Sequence, residues 1–525
     1  MLESRKSGVF LHITSLPSEF GIGDLGPSAY KFANILAKLN QSFWQILPIN
    51  PTSNFKKNSP YAATSAFAGN TLLISPKLLY EDGLLKKKEL MNLKEAFLSD
   101  KYNNFVDYEK VFQKKNKIFE VAYKNFQSND SSKHKEDFLS FCSKNDDKWL
   151  NCYSIFKVIK DKLNNKSWSD WPDYLKNDAN SLIRNFKNKI KWDKENIVLD
   201  YKIYEEIEKE KFLQYLFFKQ WFNLKKYCNS LELKIIGDMP IYVDFESCDV
   251  WQNPDVFKLD SKKKPKYISG VPPDYFSKTG QLWGNPVYNW EYLKDTKYEW
   301  WINRISYNLD LFDFLRIDHF RGFVAYWEVK AGEETAKKGK WVKAYPEDFF
   351  QVLKDRLKDK FNRLPIIAEN LGYITPDVEE VIRVNNFTGM KVILFAFGKD
   401  FPKSTNLPHN YDRNCVVYTG THDNNTIVGW FLKEARNYEK KNLAKYLGKE
   451  LALDTINLDL MKLAASSVAN LVIVPVQDIL GLDEKARMNH PATTKGNWKW
   501  RMKKKEMSCK NFSYIKKLTE IYSRI

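Results

Sequence analysis

The sequence is short of the residues that mark several functional classes. Of its 525 residues only 6 are Cys and 6 are His. The cysteines stand at positions 142, 152, 228, 248, 415 and 509. No two have Cys-x-x-Cys spacing, and none joins His in a zinc-spaced cluster, so a zinc module or a disulfide framework is not expected. In so long a chain this pattern points to free thiols in a reducing compartment. Long apolar runs are also missing. The first residues hold an apolar stretch of about five residues, too short for a signal peptide, and nothing approaches the ~18 residues of a membrane span. The expectation is a soluble cytoplasmic protein without a membrane partner. Arginine is scarce as well: of 83 basic residues 13 are Arg and 70 are Lys. Arg is the usual reader of phosphates and base edges. The lysines are spread along the chain, so the net charge of +18 reads as a solvated surface, and no nucleic-acid partner is expected.

Apolar residues make up 43% of the chain and aromatics 15%, with 16 Trp, 28 Tyr and 35 Phe. That excludes a wholly disordered or fibrous chain. At roughly 150 residues per domain the length would suggest three or four domains, but barrels run further as one unit.

Eight short apolar, β-branched runs read as buried strands. They are residues 9–13 (VFLHI), 43–49 (FWQILPI), 234–241 (KIIGDMPI), 312–318 (FDFLRID), 364–370 (LPIIAEN), 389–397 (GMKVILFAF), 415–421 (CVVYTGT) and 471–477 (LVIVPVQ). Helical patterns at 28–39, near 205–229, after Thr375-Pro376-Asp377 and at 458–470 separate many of them. Thr375 reads as an N-cap with Pro376 at the first helical position. Eight strands alternating with helices argue for an α/β protein with a (β/α)8 TIM barrel, a doubly wound sheet being the alternative. The whole chain, 1–525, is then one catalytic barrel with two insertions. Residues 80–200 read as a helical insertion after the second strand. Residues 244–292, rich in Pro, Gly, Trp and Tyr, read as a substrate loop over the active site after the third. Only about 45 residues follow the eighth strand and its loop, too few for a β-sandwich domain.

Gly21-Ile22-Gly23-Asp24-Leu25-Gly26 matches G-x-G-x-x-G. A dinucleotide site needs this turn directly after a strand and an acidic residue at the end of the next. Seven residues intervene here, and the second strand ends Leu47-Pro48-Ile49. A βα loop needing glycine's backbone freedom is the better reading.

Barrel enzymes carry their catalytic side chains at the C-terminal ends of the strands. Here those ends are polar: Gly237-Asp238, Arg316-Ile317-Asp318-His319, Glu369-Asn370, Thr421-His422-Asp423 and Gln477-Asp478. One such Asp is ordinarily a cap. Asp318, Glu369 and Asp423 converging on one mouth, with Arg316 facing the same way as Asp318, indicate catalysis. Paired carboxylates at a mouth rich in Trp and Tyr suit sugar chemistry, in which one attacks the anomeric carbon and the other protonates the leaving oxygen. Aromatic rings offer flat faces to pyranose CH surfaces.

These segments resemble the 4-alpha-glucanotransferases of glycoside hydrolase family 77, over nearly the whole chain. The likeness is carried by SGVFLHITSLPSEFGIGDLG, SPYAATSAFAGN, GDMPIYV, GVPPDYFSKTGQLWGNPVYNW, LRIDHFRGF, IIAENLG, TGTHDNNT and DILGLDEKARMNHP…GNWKWR. It implies Asp318 as nucleophile, Glu369 as general acid/base and Asp423 as the third carboxylate, gripping sugar hydroxyls. It also implies that Arg316 orients Asp318, that His422 and Asp238 serve the same sugar, and that Tyr61 stacks on it. Asp274, Tyr275 and Phe276 would arch over the glycan. Gln281, Trp283, Asn285 and Asn489 would line acceptor subsites. The implied reaction moves a segment of an α-1,4-glucan donor to glucose or a maltooligosaccharide acceptor, with no nucleotide, metal or phosphate cofactor. Hydrolysis of the same glucans, or glucan binding without turnover, are the alternatives. Two places depart from the family's pattern: Asp244-Phe245-Glu246-Ser247-Cys248 after GDMPIYV, and His490-Pro491-Ala492 where a Pro-Gly pair is more usual.

Overall fold

The computed structural model describes residues 4–98, 104–128, 132–187, 201–273, 277–493 and 495–525. Its strands, in chain order, are β1 (Lys6–Phe10), β2 (Phe43–Gln45), β3 (Lys234–Met239), β4 (Tyr267–Val271), β5 (Gln281–Pro286), β6 (Phe314–Ile317), β7 (Ala325–Lys330), β8 (Gly339–Lys343), β9 (Ile366–Ala368), β10 (Gly389–Val392), β11 (Cys415–Tyr418) and β12 (Leu471–Pro475). Eight of them form one parallel sheet in the order β10-β11-β12-β1-β2-β3-β6-β9. A parallel bridge between Ile367 and Thr388 joins β9 back to β10, with Ala368 N–H donating to Thr388 O at 2.8 Å and Thr388 N–H to Ile366 O at 3.2 Å. The sheet is thereby the barrel expected from the alternation of strands and helices. Among the described residues no strand follows β12, and no helix is long and apolar enough to cross a membrane.

The apolar runs overshoot the ladders at their C-terminal ends. Ile13–Ser15 and Ile393–Phe395 are 3-10 turns, and Val476–Ile479 is helical. Apart from Phe395, which is exposed, their residues are buried, and an apolar run reports burial and not strand hydrogen bonding. The helix Pro27–Lys38 shows how the local sequence makes the outer layer. Pro27 starts it, Lys38 ends it, and Ala29, Phe32, Ala33, Ile35 and Leu36 are buried, a spacing that presents one apolar face. Phe32 meets Trp44 of β2 edge-on at 5.0 Å. At the N-terminal ends of the strands the helix Ser513–Ile521 closes the barrel: Thr519 Oγ1 bonds Ser7 Oγ and Gln41 Nε2, each at 2.9 Å.

Between β2 and β3 lie helices Lys87–Glu95, Tyr108–Ser128, Ser132–Asn145, Asn151–Lys162, Ala179–Lys187 and Tyr201–Ser230. Lys115, fully buried, fastens one of them by donating to Leu72 O at 2.6 Å and Ile74 O at 2.9 Å. In the G-x-G-x-x-G segment a Cβ on Gly23 would stand 2.0 Å from Ile13 O. The glycine there serves close packing of backbone on backbone.

The stretch 244–292 differs from the expected loop. It supplies β4 and β5 of an antiparallel sheet ordered β5-β4-β7-β8. The other two strands come from the connection after β6, which the apolar pattern did not mark. Pairing across 57 residues, such as Gly270 with Trp327, leaves no local signature.

Candidate active site

Register places the two principal carboxylates. In the β3-β6-β9 part of the barrel Met239 pairs with Ile317 and Ile317 with Ala368. Asp318 and Glu369 are the next residues on adjacent strands, so they stand side by side. Asp238 pairs with Arg316 two residues earlier. Side chains two apart share a face, so Asp238 and Arg316 form a layer beneath Asp318 and Glu369. Arg316 is buried and bridges the layers: Nη1 donates to Asp238 Oδ1 at 2.7 Å, and Nη2 forms an ion pair with Asp318 Oδ1 at 2.9 Å. Burial works against its charge, but Asp238 and Asp318 hold the guanidinium well above its ordinary range.

The network crosses the mouth through Tyr61. Its hydroxyl donates to Asp238 Oδ2 at 2.6 Å and lies 3.3 Å from His422 Nδ1. Its ring stacks on His422 with centroids 4.9 Å apart. His422 Nε2 is 3.4 Å from Asp423 Oδ1, and Asn489 Nδ2 donates to the same oxygen at 2.6 Å. One connected set therefore joins Asp318, Arg316, Asp238, Tyr61, His422, Asp423 and Asn489.

The carboxylates occupy unlike environments. Burial, aided by the neighbouring Asp318 charge, pushes the Glu369 carboxyl up to about 7, against the pull of Arg316 and two amides. Those amides are His319 N–H on Oε2 at 2.7 Å and Leu371 N–H on Oε1 at 2.8 Å. For Asp423, burial pulls upward but His422 and Asn489 outweigh it, leaving the carboxyl at about 2. Burial raises Asp238 while Arg316 draws it back. Burial works to lower His422, but the charge and hydrogen bond of Asp423 together with the Asp238 charge outweigh it and move the imidazole above its ordinary value. Carboxyl groups driven apart in this way can act as acid and as anion at the same pH.

Several partners were not singled out in the sequence. His319 adopts φ 48°, ψ 52°, a left-handed conformation that turns its N–H onto Glu369. Its ring meets Trp283 edge-on at 4.7 Å. Arg487 holds the Asp423 carbonyl at 2.7 Å and pairs with Glu434 at 2.7 Å. Trp498 lies 5.7 Å from Tyr61 and 5.8 Å from His422. All three stand inside motifs quoted for the resemblance, which was the available signal.

The remaining expected residues divide. Trp283 is at the mouth through His319, and Gln281 Oε1 accepts from its indole N–H at 3.4 Å. Asn285 donates to Val243 O at 3.0 Å, a bond that ties β5 to the loop after β3. Asp274, Tyr275 and Phe276 lie outside the described residues. At the first departure, Asp244 pairs with Lys56 at 2.9 Å and Glu246 with Lys160. At the second, Ala492 has φ 62°, the left-handed region that favours glycine.

Comparison with known proteins gives a consistent result. A family model described as 4-alpha-glucanotransferase matches residues 11–507. The chain is 43% identical over 522 residues to a 4-alpha-glucanotransferase of Aquifex aeolicus, covering 99% of each. It is 44% identical over 515 residues to one of Clostridium butyricum, covering 98% of this chain and 100% of that one. The solved amylomaltase of Streptococcus agalactiae in complex with acarbose matches with a TM-score of 0.90 at 38% identity, covering 99% of each chain.

Proposed function

The chain belongs to the 4-alpha-glucanotransferase family of glycoside hydrolase family 77, enzymes that transfer α-1,4-glucan segments, and from that premise we propose how its own residues carry the transfer. Asp318 attacks the anomeric carbon while Glu369 gives its proton to the departing 4-oxygen. The reducing-end fragment leaves, and the rest of the donor is held as an ester on Asp318. The 4-OH of glucose or a maltooligosaccharide then attacks the same carbon, Glu369 takes its proton, and the new α-1,4 bond forms with net retention.

The observation that carries this reading is the register of Asp318 and Glu369. Neighbouring strands are ~4.8 Å apart, and two carboxylates opposed across that spacing match the ~5–5.5 Å of retaining pairs rather than the ~6.5–9.5 Å of inverting ones. The electrostatics supply the proton cycle. While Asp318 is an anion its charge helps keep Glu369 protonated. Esterification removes that charge, the Glu369 proton becomes more acidic, and the group that acted as acid is ready as base. Arg316, paired with Asp318 at 2.9 Å, aims its carboxylate. Asp423, an anion flanked by His422 and Asn489, offers acceptors to sugar hydroxyls, and Tyr61 offers a ring face.

Transfer prevails over hydrolysis when a bound acceptor takes the place of water at the intermediate. The aromatic surface of Tyr61 and Trp283 around the carboxylates favours a sugar in that place. The six cysteines are unpaired and five are buried, which supports a cytoplasmic location.

The test is incubation with maltotriose alone, with Asp318→Asn as control. Glucose together with products longer than maltotriose, absent from the variant, is the expected result. Glucose and maltose alone would show a hydrolase. A variant within about tenfold of wild type would overturn the nucleophile assignment.

A further inference from the structure

Arg321 follows Asp318 by three residues and Tyr373 follows Glu369 by four, and the fold keeps the two segments together. Arg321 Nη1 donates to Tyr373 O at 2.9 Å and to Thr375 Oγ1 at 3.0 Å. The Thr375 hydroxyl, expected as a helix cap, is thus turned to the arginine. The guanidinium lies 4.0 Å from the centre of the Trp341 ring and 5.5 Å from that of Tyr373. Arg321 is 7% exposed, whereas Trp341 is 36% and Tyr373 71% exposed. The cation is covered and the rings that cover it are open to solvent.

Scattered exposed aromatics need no explanation. These two are neither scattered nor loose. One charged, buried group braces both by cation–π contact. Trp341 is fixed further by pairing with Trp327 across β7 and β8, their rings 5.3 Å apart. The Tyr373 loop is tied to the acid/base itself, because Leu371 N–H holds Glu369 Oε1. Ring faces prepared in this way lose little freedom when a sugar settles on them. Their position indicates which sugar. Glu369 protonates the oxygen that leaves with the reducing-end fragment, so the loop following Glu369 flanks that fragment and, in the second half-reaction, the acceptor.

We propose that Tyr373 and Trp341, braced by Arg321, form a stacking platform for the α-1,4-glucan acceptor beyond the unit that supplies the attacking hydroxyl. The platform sets the preference for longer acceptors over glucose. The inference rests on Glu369 as the acid/base, since that role defines the acceptor side.

The experiment compares glucose and maltotetraose as acceptors with one fixed glucan donor in wild type, Tyr373→Ala and Tyr373→Phe. The ratio of kcat/KM for maltotetraose to that for glucose should fall about tenfold in Tyr373→Ala, the loss of one stacked sugar face. Tyr373→Phe keeps the ring and should restore the ratio. A Tyr373→Ala ratio within about twofold of wild type overturns the platform. That includes the case where both acceptors lose alike, which would leave Tyr373 only a brace for Arg321. Glu369→Gln, assayed beside them, separates the two readings. Wild-type turnover of maltotriose in Glu369→Gln removes the premise. An inactive Glu369→Gln with an unmoved Tyr373→Ala ratio removes the platform alone.

Discussion

Replacing Glu369 by Gln should change the pH dependence of stability in a direction that the site dictates. In the folded protein the carboxyl titrates near 7 instead of 4.5, because burial and the Asp318 charge disfavour its anion. Below pH 4.5 the group is protonated in folded and unfolded chains alike and imposes no penalty. Between 4.5 and 7 the unfolded chain gives up the proton that the folded chain retains, so the wild type loses stability as pH rises. Above 7 both are ionised and the penalty is complete, about 3 kcal/mol for a shift of this size. Gln removes this pH-dependent part. It also adds a constant cost, since its single oxygen cannot accept from both His319 N–H and Leu371 N–H, which now hold Oε2 and Oε1; one N–H facing an amide NH2 costs about 1–3 kcal/mol. The two effects separate by pH. At pH 5 the variant should be less stable than wild type. By pH 8 the difference should have moved about 2.5 kcal/mol in the variant's favour. Urea unfolding of both proteins at pH 5, 6, 7 and 8 measures the difference, and contributions from other groups cancel in it. A stability difference that is flat across this range would refute the raised Glu369 carboxyl and with it the proton cycle built upon it.

Glu369→Gln should slow transfer from maltotriose by about 10²–10⁴-fold while slowing reaction of α-maltosyl fluoride, whose leaving group needs no proton, far less; equal losses on both donors would argue against the acid role. Tyr61→Phe removes the 2.6 Å bond to Asp238 and leaves that buried carboxylate one partner fewer, so stability should drop by about 1–3 kcal/mol. A urea midpoint equal to that of wild type would deny Tyr61 its part in holding the network. Ala492→Gly should raise the melting temperature slightly, because φ 62° costs an L-residue about 1–2 kcal/mol and glycine's extra unfolded-state freedom takes back only ~0.4–1; a lower melting temperature would mean that the left-handed turn carries no strain.

Much of the architecture could be read from short-range pattern. Apolar runs such as VFLHI and LVIVPVQ mark the buried strands β1 and β12 while overrunning their C-terminal ends, helices separate many such runs, and that alternation has few solutions besides a parallel barrel. Asp318 and Glu369 were legible for the same reason: a charge at the end of a buried run marks the strand's C-terminal end, where a barrel opens. Asp423 was placed by the polar cluster after the seventh run. What the sequence could not carry was whatever depends on groups far apart along the chain. The Tyr61–Asp238 bond spans 177 residues and the Tyr61–His422 stack 361. The sheet β5-β4-β7-β8 needed partners from two separate connections. No local pattern encodes such pairings, because each is selected by the sum of packing over the whole barrel. The acid/base balance belongs to the same class. Glu369 has no feature of its own that raises its pKa; the shift comes from desolvation by everything packed around it and from Asp318 brought alongside by register. The chain's local pattern determined which residues reach the mouth, and the tertiary structure decided which carboxyl is pushed up toward 7, since charge is stabilised or penalised only by neighbours that folding assembles.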